Sequence, residues 1–159
     1  MNATTPPVIG FHADEIDLST PTRAARLKWV IVVNESIPAG RAVNAAVCVA
    51  SATTQAVSGI LGPEVIDASG ETHAGLPWAG CTILSASADA LKAIRAKGVA
   101  HEATFVADMP AVAQAIRVYD EYIETMGATD TEEIEYLAVS LVGPKNRIDK
   151  VVGGLSLMP

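Results

Sequence analysis

Five residues carry side chains or backbone freedom that could do chemistry: Gly40, Arg41, His73, Trp78 and Asp108. Arg41 follows Pro38 and Gly40 and opens an Ala-rich segment that predicts a helix. A guanidinium there stands beside backbone N–H groups that have no intrahelical acceptor, a combination suited to a carboxylate or phosphate. The bland alternative pairs Arg41 with a surface acid such as Glu35. Asp108 ends the apolar run Ala103-Thr104-Phe105-Val106-Ala107 just before Pro110. That is a strand-to-helix junction, where α/β sheets place ligands, and it is equally where a helix cap belongs. His73 and Trp78 lie in a long irregular stretch, 67–80. A histidine near an aspartate can act as a general base, and an indole can stack on a flat ligand. Either can also be plain structure: an exposed loop histidine, or an indole that plugs a sheet edge. Asp108 and His73 are thus the catalytic candidates, with Gly40, Arg41 and Trp78 as ligand contacts.

The wider composition narrows what these residues could serve. The chain has 159 residues and a formal net charge of −7, so its overall field repels polyanions and argues against a dedicated nucleic-acid or anionic-membrane binder. Half of the residues are hydrophobic and only 4 % are aromatic, which excludes intrinsic disorder and leaves Ala, Val, Ile and Leu to fill the core. The two cysteines, Cys48 and Cys81, are too few for a disulfide scaffold and read as buried thiols. With His73 they show no zinc-ligand spacing, and no phosphate-binding Gly-rich string, Gly-x-Ser-x-Gly elbow or His-Glu-x-x-His motif is present. No metal and no cofactor is indicated. The amino terminus shows no leader pattern and no segment is long enough to span a bilayer, so the expected compartment is the cytoplasm.

The elements that must position the candidates follow from local pattern. Residues 1–27 read as a frayed tail, Met1 to Pro7, and a lead-in; residues 28–159 read as a single α/β domain. Lys28 to Asn34 is a continuous β-branched run, the mark of a central strand covered on both faces. Arg41 to Ser58 predicts a helix with Val43, Val47, Ala50 and Val57 along its buried face. Val65-Ile66 is a possible short strand. Cys81 to Ser85 predicts a second buried strand, and Ser87 caps a helix over Ala88 to Lys97 that Gly98 should stop. Lys92, Arg95 and Lys97 near its end suit the helix dipole. Ala103 to Ala107 makes a third strand, and one helix is expected over Ala111 to Met126, with acidic residues from Asp120 to Glu135 forming a solvated face. Tyr136 to Val142 is the fourth strand, Pro144 opens a short helix, and Leu155-Ser156-Leu157 closes the chain. Alternating strands and helices predict a three-layer α/β/α sandwich around a mixed, largely parallel sheet of about four strands.

Several local strings carry a resemblance. Lys28-Trp29-Val30-Ile31-Val32-Val33, Ala39-Gly40-Arg41 and Ala45-Ala46-Val47-Cys48, then Leu141-Val142-Gly143-Pro144 and Ile148 to Leu157, resemble the type II peptidyl-tRNA hydrolases. The likeness spans roughly 28–157 and is weak over 67–80. It implies that family's α/β/α fold and a homodimer. In the hydrolases the turn and helix carry Gly-Lys-Gly-Lys-(aliphatic)-Ala-Ala-Gln, with a histidine further on. Here Gly40 is kept and Arg41 replaces the first lysine, whereas Ala42, Val43, Val47 and Ala50 stand at the second glycine, the second lysine, the glutamine and the histidine. Asp108 matches a family aspartate, but Met109-Pro110 replaces the Ala-Gly after it. Ester hydrolysis needs an activated water, an oxyanion donor and phosphate-binding cations, and Val43, Val47 and Ala50 supply none of them. The pattern is closer to a group of small bacterial proteins of unknown function that share the fold. The expected function is therefore binding of a small anion in a cleft at the strand carboxyl ends, where Gly40-Arg41 and Asp108 would meet. Peptidyl-tRNA hydrolysis and a non-catalytic interaction module offering the acidic Asp120 to Glu135 segment are the alternatives.

Overall fold

Four apolar β-branched residues in succession, Val30-Ile31-Val32-Val33, have no polar face to turn to water, so the strand that holds them must be covered on both sides. The computed structural model, which describes residues 8–159, places them in β1 (Leu27–Asn34) at the middle of a five-stranded sheet. The other strands of that sheet are β4 (Thr82–Ala86), β5 (Phe105–Pro110), β6 (Tyr136–Pro144) and β7 (Ser156–Leu157), in the order β5-β6-β1-β4-β7. A separate hairpin joins β2 (Val65–Ile66) to β3 (Thr72–His73). The helices are α1 (Ala39–Ala56), α2 (Ala88–Val99), α3 (Ala111–Ala115), α4 (Tyr119–Gly127) and α5 (Lys145–Val152). The expected frayed tail, Met1 to Pro7, lies outside the described residues.

The sheet differs from expectation in strand number and direction. It has five strands rather than four, and only β1 with β4 is parallel; β1 with β6, β5 with β6, and β4 with β7 are antiparallel. Three of the four strands followed by a helix, β1, β4 and β5, do run in one direction. β6 returns between β5 and β1 against that direction, which makes most of the ladder antiparallel although the sequence alternates strand and helix.

Side-chain alternation assigns the faces. Trp29, Ile31 and Val33 pack with Ala42, Ala45 and Val49 of α1, whereas Val30 and Val32 pack with Leu91 and Ile94 of α2 and Ile148 and Val151 of α5. The buried side of α1 is Ala42, Ala45, Val49 and Thr53, while Val43 and Val47 are more than half exposed. Of the expected face, Val57 is buried and Ala50 packs against the core, whereas Val43 and Val47 turn outward. The helix is apolar nearly all round, and its smaller side chains face the sheet because they let the helix axis sit close. Cys48 likewise lies on the outer side and is exposed, not buried.

Three further elements depart from the sequence reading. Gly98 does not stop α2, which continues to Val99; a Cβ at Gly98 would sit 2.5 Å from Leu141 Cδ2 and 2.9 Å from Val106 Cγ2, so the glycine serves close packing. The single helix expected over 111–126 is two helices with extended residues between them, the backbone at Ile116 and Val118 lying at φ −99° and −107°. The lead-in contributes to the core through Phe11, which is 6 % exposed.

One buried polar relay ties α1 to the sheet. Trp29 Nε1 donates to Ser140 Oγ at 2.8 Å, Ser140 and Thr53 hydroxyls are 2.7 Å apart, and Thr53 Oγ1 donates to the Val49 carbonyl at 2.7 Å. Because Thr53 spends its proton on Val49 and the indole can only donate, Ser140 must donate to Thr53, and the direction of the whole chain is fixed. Ser140→Ala should therefore cost about 2 kcal/mol, since it strands the buried indole N–H as well as removing a bond. Urea unfolding measures this, and a loss below about 0.5 kcal/mol would remove the relay from the account of stability.

The lead-in is held by Arg26, whose Nε and Nη2 donate to the Glu15 carboxylate at 2.9 and 2.7 Å and whose Nη2 also reaches the Gly10 carbonyl. The guanidinium holds the Glu15 carboxyl at about 2, below its usual value of 4.5. A depressed carboxyl stabilises the fold above its unfolded value and loses that contribution as pH falls toward the folded one. The pair is partly exposed, so Glu15→Gln should cost about 1 kcal/mol at pH 7. Urea midpoints should show the difference shrinking below pH 4.5; a difference that stays constant from pH 7 to pH 3 would contradict the pairing.

Candidate functional site

Gly40 and Arg41 fall in the first turn of α1, directly after the carboxyl end of β1. Pro38 is the N-cap and provides no side-chain acceptor, and the first helical bond runs from the Ala42 N–H to the Pro38 carbonyl at 3.0 Å. The N–H groups of Ala39, Gly40 and Arg41 precede it and have no intrahelical partner. The position a Gly40 side chain would occupy is open space, and Ala39, Gly40 and Arg41 are all exposed.

The Arg41 partner is not Glu35 but Gln114, on α3. Gln114 Oε1 accepts from Arg41 Nε at 2.8 Å, while its Nε2 donates at 3.0 Å to both the Arg41 carbonyl and Asn44 Oδ1. The amide is thereby fixed in orientation, and through Nε it fixes the guanidinium, whose two terminal nitrogens make no hydrogen bond among the described residues. Gly40, Arg41, Asn44, Ala113, Gln114 and Ala115 line an open groove. Sequence reasoning missed Gln114 and Asn44. The available signal was faint: Gln114 is the single polar residue in Ala111-Val112-Ala113-Gln114-Ala115.

Asp108 is elsewhere. It is a residue of β5 rather than the cap of the following helix, whose N-cap is Pro110. Alternation along β5 turns its side chain to the α2 face, where Oδ2 accepts from Arg95 Nε at 2.7 Å. Arg95 in turn lies 5.2 Å over the Tyr136 ring. Tyr136 Oη is buried without a hydrogen-bond partner among the described residues, and burial raises its pKa above the usual value. Arg41 and Asp108 thus sit toward the same end of the sheet but on opposite faces, and the single cleft expected between them does not form.

His73 lies in the β2–β3 hairpin, so the stretch 67–80 is not wholly irregular. Its Nε2 is 3.3 Å from Asp67 Oδ2. The Asp67 carboxyl is held below its usual range by the Glu71 N–H, by His73 and by the Ser69 N–H. Both side chains are well exposed, 61 % and 41 %, and the neighbouring acid is Asp67 rather than Asp108. Trp78 is a strut: its indole N–H donates to the Gly59 carbonyl at 2.8 Å and its ring meets Phe11 at 4.8 Å, tilted by 60°. Of the five candidates, only Gly40 and Arg41 share a site. Among the described residues no three His, Cys, Asp or Glu side chains gather as a metal would require. Among the same residues, no helix is long and apolar enough to cross a membrane.

A family model described as "Protein of unknown function (DUF2000)" matches residues 27–159, the whole of the sheet and its helices. The chain belongs to the DUF2000 family. Among solved structures it is similar to the protein of unknown function Atu0240 from Agrobacterium tumefaciens str. C58, with a TM-score of 0.79 at 12 % identity over 85 % of this chain and 99 % of that one. At that identity the likeness shows the fold alone. No curated protein matches the sequence. The DUF2000 match begins at Leu27, the first residue of β1, so Gly40, Arg41, Asn44 and Gln114 all fall within it, as do Asp108, His73 and Trp78.

For this DUF2000 chain the strut role of Trp78 is separable from ligand stacking. Trp78→Phe should cost about 1 kcal/mol, the bond to Gly59, and Trp78→Ala about 3 kcal/mol through lost packing on Phe11. Equal stability of all three proteins in chemical unfolding would return Trp78 to the list of surface ligand contacts.

Proposed function

We propose that this DUF2000 chain binds a small anion, a phosphate or carboxylate group, at the amino terminus of α1. The observation that carries the reading is the Gln114 clamp. It fixes the Arg41 guanidinium through Nε and leaves the terminal nitrogens without a hydrogen-bond partner among the described residues, in a first turn whose three leading N–H groups have no helical acceptor. A fixed guanidinium loses less side-chain entropy on binding than a free surface arginine. Asn44, whose side chain accepts from Gln114, adds to the same rim.

The finer reading of the fold, a type II peptidyl-tRNA hydrolase-like sandwich, rests on the Lys28 to Val33, Ala39 to Cys48 and Leu141 to Leu157 strings. The hydrolase activity itself is not supported, because Asp108 is committed to Arg95 on the α2 face and Val43, Val47 and Ala50 offer no polar atom beside Arg41. The proposal keeps the protein in the cytoplasm, without a nucleic-acid partner, as a homodimer. Exposed Val43 and Val47, one turn apart on the outer side of α1, give a second copy an apolar surface to cover.

Isothermal titration with inorganic phosphate and with succinate tests the proposal. Arg41→Ala should weaken the tighter of the two by at least tenfold, about 1.4 kcal/mol, and Gln114→Ala by a smaller factor. Equal affinities for wild type and Arg41→Ala would remove this site.

A further inference from the structure

A second cationic feature lies at the other end of the sheet. Where β1 and β4 begin and β6 ends, a cavity of about 310 Å³ opens between the turn at 22–25 and the segment 79–82. That volume is at the lower end of the range for small-molecule sites. Three cationic residues, Arg23, Lys28 and Lys145, line it and no acidic residue does, in a chain whose net charge is −7. Leu27, Trp29 and Cys81 give it an apolar floor.

The cations are not equivalent. Lys28 Nζ is paired with Asp149 Oδ1 at 2.5 Å, and Lys145 Nζ donates to the Arg23 carbonyl at 2.7 Å, which holds the 22–25 turn over the cavity. Among the described residues neither Arg23 nor Lys145 makes an ion pair, so both bring uncompensated charge to the lining of the cavity. A recess lined by one sign of charge with low-dielectric walls concentrates the field at its opening. Burial pushes the Cys81 thiol up to about 12, so at neutral pH the floor is uncharged.

The geometry points to a second binding site, one for a small organic carboxylate with a short apolar body, its carboxylate held by Arg23 and Lys145 and its hydrocarbon part against Leu27, Trp29 and Cys81. It is independent of the α1 site: the two lie at opposite ends of β1 and share no residue.

The test is isothermal titration with butyrate and with inorganic phosphate, combined with amide chemical-shift mapping on the full chain. Butyrate should shift the amides of Gly80, Cys81 and Thr82 saturably. Its affinity should fall at least tenfold in Arg23→Gln, an exposed substitution that the fold tolerates, and again in the double variant with Lys145→Gln. Butyrate bound at α1 would instead shift the amides of Ala39, Gly40 and Arg41, so the two sites are read separately and failure here is distinct from failure at α1. Absence of saturable shifts at Gly80, Cys81 and Thr82, butyrate affinity unaffected by Arg23→Gln, or phosphate matching butyrate at this site would each overturn the proposal.

Discussion

The structure turns on a short chain of hydrogen bonds that runs from the Trp29 indole through the Ser140 and Thr53 hydroxyls to the Val49 carbonyl. It joins β1, β6 and α1, and all its side chains are buried. Apolar packing brings α1 down on the sheet, but Ala42, Ala45 and Val49 are small and nearly featureless and would allow the helix to slide or rotate. A polar relay in which each group has one available role does not allow that. Its position helps to fix the rotation of α1, and with it which residues of the first turn face outward. Arg41 is presented to Gln114, and Val43 and Val47 to the surface, by that rotation, which the close seat of Ala42 and Ala45 on the sheet and the relay three turns away set together.

The same rotation explains why the candidate residues separate. Strand alternation puts Ser140, Trp29 and α1 on one face and Asp108, Arg95 and Tyr136 on the other. Two residues that lie near the same end of a sheet need not share a cleft, because a strand gives its side chains to both faces in turn. Asp108 is therefore satisfied by α2, and the groove beside Arg41 is completed by α3, the short helix that follows β5.

Much of this was legible in the sequence, and the limits have physical causes. β1 and β6 were readable because a strand covered on both faces must be apolar along most of its length, Ser140 being the buried exception in β6. Strand directions were not: β6 follows two helices and yet returns antiparallel, and nothing in Tyr136 to Val142 encodes orientation. The buried face of α1 was half read, at Ala50 and Val57, because the helix is apolar on two sides and hydrophobic period alone cannot choose between a stripe of Val43 and Val47 and a stripe of Ala42, Ala45 and Val49. Close approach to the sheet decided it. Gly98 has the signature of a helix stop but serves as a packing notch against Leu141. Gly40 and Arg41 were legible as a pair because helix-end chemistry is local. Their partner Gln114 was not, since the contact spans 73 residues.

The central claim is that α1 presents a prepared anion site with Arg41 held in place by Gln114. The most direct measurement is an amide chemical-shift titration of the isotopically labelled chain with inorganic phosphate. The account predicts saturable shifts concentrated at the amides of Ala39, Gly40 and Arg41 and at the Gln114 side-chain amide. Shifts spread evenly over the surface lysines and arginines, or none at the start of α1, would contradict it.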